Sequence, residues 1–372
     1  MKRIATACST NKSTLLAIGE VRAQIGTMNT KMVVFFASSI HEPEAVSRTM
    51  RDAFPGALVV GCSTAGEIVT GKMLKESIVA MAFSPEAVED VALGVVSEVG
   101  KGPVAQKIGD VFAGFEKHYG RKMEELDFSK YVGIILIDGL SAAEERVMDK
   151  IGDLTNVLFV GGSAGDDLKF ARTYVYANGK AYTDAAILLL LKPAVGFDIL
   201  KTQSFRTTGK KLVATEVVEA SREVISFNDK PAALAYAEAL GTTVEDAANQ
   251  FMSHPLGLLA GEEIFVRSPQ QVLDGKMVFF CNVLEGMELS ILSSTDIVAD
   301  TRNAIKAKNG RQGSIAGIVN FHCILRTLEL EKDNLTEAYG NVFSGVPTVG
   351  FSTYGEEYLG HINQTATMLL LR

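Results

Sequence analysis

Val59-Val60-Gly61-Cys62-Ser63-Thr64-Ala65-Gly66-Glu67 returns near the other end of the chain as Thr348-Val349-Gly350-Phe351-Ser352-Thr353-Tyr354-Gly355-Glu356. A looser copy, Phe159-Val160-Gly161-Gly162-Ser163-Ala164-Gly165-Asp166, stands between them. Self-similarity comes first, because a missed repeat misassigns the whole fold. All three copies contain Val-Gly-x-Ser, which reads as a turn, and the outer two share the longer V-G-x-S-T-x-G-E.

The residues before each copy agree as well. Short apolar runs, Met32 to Ala37, Val132 to Ile137 and Ile315 to Phe321, end in the polar tips Ser38-Ser39, Asp138-Gly139 and His322-Cys323. Such runs predict buried strands. A helix fits between each run and its copy. The first opens at His41-Glu42-Pro43-Glu44, with Pro43 in the first turn where its missing N–H costs nothing. The second opens at Ser141-Ala142-Ala143-Glu144, a capping-box pattern. In the third, Leu328, Leu335 and Tyr339 lead to Gly340. Further apolar strands close the units at Ser77 to Phe83, Ala185 to Leu191 and Thr365 to Leu371. The fold class expected is α/β: two packed α/β domains built from repeated strand–helix–strand units with mixed sheets, residues 1–195 and 196–372. The Lys192-Pro193 to Phe197 stretch marks the boundary.

Composition narrows the classes of function. The chain has 372 residues, 47% of them hydrophobic, enough for sizeable cores. Net charge is −8 and Lys and Arg are scattered, so no nucleic-acid partner is expected. The longest wholly apolar run, Ala185 to Leu191, has strand length and falls far short of the ~20 residues of a membrane span. No membrane insertion and no signal peptide are expected, hence a cytoplasmic protein. The four cysteines, Cys8, Cys62, Cys281 and Cys323, form no C-x-x-C pair, and buried thiols are expected of most of them.

In sheets of this kind ligands meet polar loops at the carboxyl ends of strands. Ser38, Ser39, Asp138, His322 and Cys323 stand there, with a second set of loops expected after each Val-Gly. Gly161-Gly162-Ser163-Ala164-Gly165 matches the G-x-S-x-G nucleophile elbow, but the sister copies break its spacing. Ser163 or Cys62 as nucleophile is the enzymatic alternative. The Gly-rich loops lack the lysine and the spacing of a phosphate cradle. Among the five histidines, His322 is unusual. An imidazole beside a thiol at a strand tip can ligate haem iron, although an ordinary hydrogen-bonded pocket residue looks the same in sequence.

Gly61 to Glu67 resembles the signature of the FIST N-terminal domain. Asn320-Phe321-His322-Cys323-Ile324-Leu325-Arg326, Gly350 to Glu356, Asn363-Gln364-Thr365 and Ser253-His254-Pro255-Leu256-Gly257 are similar to stretches of the FIST C-terminal domain. The resemblance spans nearly the whole chain. It implies a sensory, non-enzymatic module that binds a small-molecule ligand and works with a histidine kinase, a chemoreceptor or a cyclic-di-GMP enzyme. With no output domain visible, a stand-alone sensor is expected. Some members of that kind are haem-binding nitric-oxide sensors, which makes haem a candidate cofactor, with His322 as iron ligand and His361 as second choice. A sensor of a polar metabolite such as an amino acid, with Arg326 clamping a carboxylate, is the alternative. The candidate ligand contacts are Ser38, Ser39, Cys62, Ser63, Thr64, Glu67, Asp138, Asn320, Cys323, Arg326, Ser352, Thr353, Tyr354, Glu356 and Asn363. The fuller outer copies are favoured over the degenerate middle one.

Overall fold

A computed structural model describes residues 3–311 and 313–372. The chain forms two compact units. Unit one runs through Lys201, resumes over Arg302–His361 and ends with Ala366–Arg372; unit two holds Thr202–Thr301 and Ile362–Thr365.

Unit one repeats one plan three times. Copy one is β1 (Ile4–Ser9), α1 (Thr14–Ile25), β2 (Met32–Ser38), α2 (Pro43–Ala53), β3 (Leu58–Thr64), a hairpin of β4 (Glu67–Val69) and β5 (Lys72–Leu74), and β6 (Ile78–Phe83). Copy two is β7 (Val88–Ser97), α3 (Val104–Tyr119), β8 (Val132–Ile137), α4 (Glu144–Leu154), β9 (Phe159–Ser163), the hairpin β10 (Val175–Ala177) and β11 (Lys180–Tyr182), and β12 (Ala185–Pro193). Copy three begins with β13 (Phe197–Gln203). The chain then makes the body of unit two: β14 (Phe205–Val218), β15 (Glu223–Phe227), β16 (Lys230–Pro231), α5 (Ala232–Leu240), α6 (Val244–Ala247), β17 (Leu256–Ala260), β18 (Glu263–Arg267), β19 (Pro269–Leu273), β20 (Lys276–Phe279) and β21 (Glu288–Ser294). Copy three resumes with α7 (Ile297–Arg311), β22 (Gly317–Cys323), α8 (Ile324–Lys332), α9 (Thr336–Gly340), β23 (Thr348–Thr353), the hairpin β24 (Glu356–Tyr358) and β25 (His361–Ile362), and β26 (Thr365–Leu371).

The predicted strand–helix–strand unit is therefore the centre of a longer one, with an extra strand ahead of it and a hairpin inside it. In each copy the two central strands pair in parallel, β2 with β3, β8 with β9 and β22 with β23. The last strand returns antiparallel beside the first of them. The hairpin never joins its own sheet. The sheet orders are β1-β6-β2-β3-β10-β11, β25-β24-β9-β8-β12-β7 and β13-β26-β22-β23-β4-β5. Copy two lends its hairpin to copy one, copy three to copy two, and copy one to copy three.

Val-Gly-x-Ser lies within β3, β9 and β23 and is not a turn. Its glycine is required by the neighbouring strand. A Cβ on Gly61, Gly161 or Gly350 would stand 2.1, 1.8 or 2.2 Å from the carbonyl oxygen of Phe35, Ile135 or Asn320. These three neighbours occupy the same place in β2, β8 and β22. The repeated motif therefore records a close approach of backbones.

Alternation along the strands divides the side chains between two layers. Val34 and Phe36, Ile134 and Leu136, and Val319 and Phe321 point into one core shared by all three sheets. There the rings of Phe36 and Phe351 lie 4.5 Å apart and those of Phe321 and Phe351 6.0 Å apart. The opposite faces meet helices. Phe35 and Ala37 pack with Ile18 and Val21 of α1 and Val46 and Met50 of α2. Ile135 and Ile137 pack with Ile108 and Phe112 of α3 and Val147 of α4. The equivalent positions in copy three are Asn320 and His322.

One local expectation is corrected. The capping box at Ser141 does not form: α4 starts at Glu144 with Ala143 before it, and Ser141 Oγ donates to the Asp138 carbonyl instead. Residues 205–218 form the single strand β14. On either side of Glu285-Gly286, β20 pairs with β15 and β19 while β21 pairs with β14 and β17. Unit one takes strands from both sides of residue 195, because the strands of copy three both give a hairpin to copy two and receive one from copy one.

Candidate functional site

Many of the hydroxyl and carboxyl groups singled out in the sequence bond to one another. Thr64 Oγ1 donates to Glu67, which also accepts from Ser77 N and Oγ at 3.1 and 2.6 Å. Thr353 Oγ1 donates to Glu356 at 2.6 Å. The Thr-x-x-Glu half of the long motif thus ties each hairpin to the strand before it. Ser63 Oγ accepts from Tyr174 N at 2.9 Å, and Asp138 accepts from Leu140 N, Thr173 Oγ1 and Asp184 N. Ser38 and Ser39 both donate to Asp167, a residue the sequence did not mark, at 2.9 and 2.6 Å. Tyr354 hydroxyl donates to Asp166, and its ring stacks on Phe170 at 5.0 Å. Cys62 is buried in the shared core, and burial pushes its thiol far up, which suits no nucleophile. Cys323 is buried too.

Glu67 has a measurable consequence. It is 1% exposed, and burial pushes its carboxyl up to about 8, against the opposing pull of Ser77 and Thr64. A carboxyl raised above its unfolded value keeps a proton in the native state that the unfolded chain releases. Between the ordinary value of 4.5 and about 8, stability therefore falls as pH rises. Glu67→Gln retains an acceptor for Ser77 and removes the titration. Between about pH 5.5 and about pH 8 the wild type is expected to lose more stability than the variant, as read from urea midpoints. Equal losses would assign the slope to other groups.

The helix-facing side of the third sheet is different in kind. Asn320 and His322 are both 0% exposed. Neither Oδ1 nor Nδ2 of Asn320 has a hydrogen-bond partner, nor has Nε2 of His322. His322 Nδ1 lies 2.9 Å from the Tyr339 hydroxyl, and the two rings are 4.6 Å apart. Burial, helped by the positive charge of Arg326, holds His322 well below its usual range, so the ring is neutral at pH 7. Arg326 is itself 1% exposed, on the first turn of α8. Ser352, the register partner of His322, shares a 2.8 Å hydrogen bond with Thr327 of α8. The sheet thus brings Asn320, His322 and Ser352 together, and α8 and α9 add Arg326, Thr327 and Tyr339. In sequence Tyr339 marks only the approach to Gly340, and its distance of 17 residues from His322 hides the contact.

A second buried group lies at the middle sheet. Ser163 Oγ donates toward Glu144 at 3.3 Å and Glu357 at 3.4 Å, and Glu357 lies 3.0 Å from His361 Nδ1. Burial works to lower His361, but the Glu357 carboxylate outweighs it and pushes the imidazole up to about 10. The serine faces carboxyl groups and not the imidazole, so the elbow-like sequence does not form the Ser–His pair of a catalytic triad. In unit two, Asn363 is also fully buried with neither side-chain atom bonded, beside Gln364, which bonds Ser268 Oγ at 2.8 Å. Among the described residues no group of three or more His, Cys, Asp or Glu is arranged for a metal ion, and no helix is long and apolar enough to cross a membrane.

Two family models together match most of the chain. The model of the FIST N domain matches residues 31–230, and that of the FIST C domain matches residues 232–358. An uncharacterized protein of Methanocaldococcus jannaschii is 21% identical over 306 residues, covering 77% of this chain and 58% of its own length.

Proposed function

The chain belongs to the FIST family, whose domains are associated with sensing small ligands, and from that premise we propose that it is a sensor whose ligand is held at Asn320 and His322. One observation carries this reading. Where the sister repeats place Phe35 and Ala37 or Ile135 and Ile137, copy three buries polar atoms that have no partner inside the protein. Each such atom costs about 1–3 kcal/mol, so a partner from outside is the natural account of them.

Asn320 offers two donors and an acceptor, His322 offers Nε2, and Arg326 brings a fixed positive charge. A compact polar molecule with a carboxylate, such as an amino acid, satisfies all three. A thermal-shift screen of amino acids and small carboxylic acids tests this. A ligand at 100 times its Kd adds about 2.7 kcal/mol of stability. The wild type should respond to at least one compound, and Asn320→Leu to none. A wild type that responds to none would overturn the reading.

Haem is the second reading, favoured by the one unpartnered ring nitrogen of His322. Its other nitrogen is already held by Tyr339, which is how ligating histidines are usually oriented. Haem bound there would supply an iron able to take nitric oxide, with His322 as ligand. The polar lining of Asn320, Ser352 and Thr327 suits a small polar molecule better than a largely apolar macrocycle. Haem reconstitution with visible spectroscopy decides: a Soret band lost in His322→Ala supports haem, and no band in the wild type ends it. On either reading the protein is non-enzymatic, works in the cytoplasm, and passes its state to a separate histidine kinase, chemoreceptor or cyclic-di-GMP enzyme.

A further inference from the structure

We propose that Tyr339 is a positioning residue that fixes the His322 imidazole and couples it to the hairpin β4–β5 borrowed from copy one. The inference rests on the reading of Asn320 and His322 as the ligand site. With Nδ1 engaged at 2.9 Å by the Tyr339 hydroxyl, only Nε2 of His322 is left to meet a ligand. The next residue, Gly340, lies against the hairpin. A Cβ there would stand 2.9 Å from the Cα of Lys72 and 3.0 Å from Met73 N, so the backbones of α9 and β5 touch. The hairpin's root is gripped on the same side. Ser352 N donates to the Gly66 carbonyl at 2.8 Å, and Ala65 N donates to the Ser352 carbonyl at 3.3 Å. Thr70 and Thr348 add a 3.0 Å bond from Thr348 N to Thr70 Oγ1.

Both ends of the hairpin are therefore attached to residues of the polar cluster, Ser352 at the root and, through Gly340, Tyr339 at β5. In the second sheet Ser163 Oγ makes a comparable link through carboxyl groups, to Glu144 of α4 and Glu357 of the borrowed hairpin, and the first sheet has no such polar link through its helix-facing positions. There too a borrowed hairpin meets a helix, as where Ser47 Oγ of α2 donates to the Lys180 carbonyl at 2.9 Å. But the sheet positions under that helix are Phe35 and Ala37, which offer no polar bond to relay. What distinguishes copy three among the described residues is that the link runs through an imidazole left with one nitrogen for a ligand. A change at Nε2 that shifts the imidazole must shift the phenol, and with it the strand on which α9 rests.

Tyr339→Phe tests this without any ligand, since it keeps the ring and removes the hydroxyl. Nitrogen NMR of the His322 ring should show one dominant neutral tautomer in the wild type and a mixture in the variant. Hydrogen exchange should rise about fivefold at the amides of residues 67–74, the change in open population that one lost hydrogen bond of ordinary strength produces. The equivalent hairpins at 175–182 and 356–361 should exchange as before. An equal rise in all three hairpins, or no rise at 67–74, would overturn the coupling. An unchanged tautomer balance would overturn the positioning role. Neither readout uses a ligand, so both outcomes stand apart from the success of the ligand screen.

Discussion

Asn320→Leu is expected to raise the stability of the ligand-free protein by about 1–3 kcal/mol, although most substitutions at a fully buried residue lower it. Leucine nearly matches asparagine in shape and leaves no donor or acceptor to satisfy. The position already accepts apolar residues elsewhere in the same fold, as Phe35 in copy one and Ile135 in copy two. The carboxamide at 320 meets none of its own hydrogen-bonding needs in the protein, so removing it deletes a cost and no bond. The same change should abolish stabilisation by any ligand that uses the carboxamide. Urea unfolding of wild type and variant, with and without the best compound from the screen, measures both effects. A loss of stability in the absence of ligand would mean that the carboxamide is satisfied in solution, and the argument for the site would fall.

Gly161→Ala should cost about 3–5 kcal/mol, at the severe end for a single methyl group. The new Cβ would lie 1.8 Å from the Ile135 carbonyl oxygen and 2.7 Å from its carbonyl carbon, so a backbone in a central strand pair has to move. No rotamer change relieves that contact. Gly152 is the control. It sits in α4 with nothing within 4 Å of its Cβ position, and Gly152→Ala should add about 0.5–1 kcal/mol through helix propensity. The pair separates a steric demand from a general intolerance of added bulk, and chemical unfolding reads both. A mild effect of Gly161→Ala would show that β8 and β9 can separate locally without loss of the sheet.

The α/β class and the threefold repetition were legible because buried strands and helices leave short-range periodicities. His322 could be picked out for the same reason: it interrupts an apolar strand. Three things could not be read. The exchange of hairpins is a pairing of residues far apart in the chain, and nothing local distinguishes Glu67–Val69 joined to β23 from the same strand joined to β3. The glycine of Val-Gly-x-Ser reads as a turn residue because glycine serves both turns and close backbone contacts, and only the neighbouring strand tells them apart. The serines, threonines and acids of the long motif look like ligand contacts in sequence. In the fold Thr64, Glu67 and Ser77 bond one another, while Asn320, His322 and Asn363 are among the residues with buried atoms that have no partner. Asn320 stood out only through family resemblance, since one amide in an apolar run carries no spacing signal.

The circular lending of hairpins also sets a timetable for synthesis. When the ribosome has made the first two copies, the first sheet has all its strands, because β10 and β11 have already emerged. The second still lacks β24 and β25, and the hairpin of copy one has no sheet to join. Both wait until the strands from residue 317 onward appear, after the whole of Thr202–Thr301 in unit two has passed. The order of translation is thus not the order of closure. The nascent chain holds two unfinished sheet edges, which only the last copy can cover, and until then these are the segments a chaperone would be needed to shield.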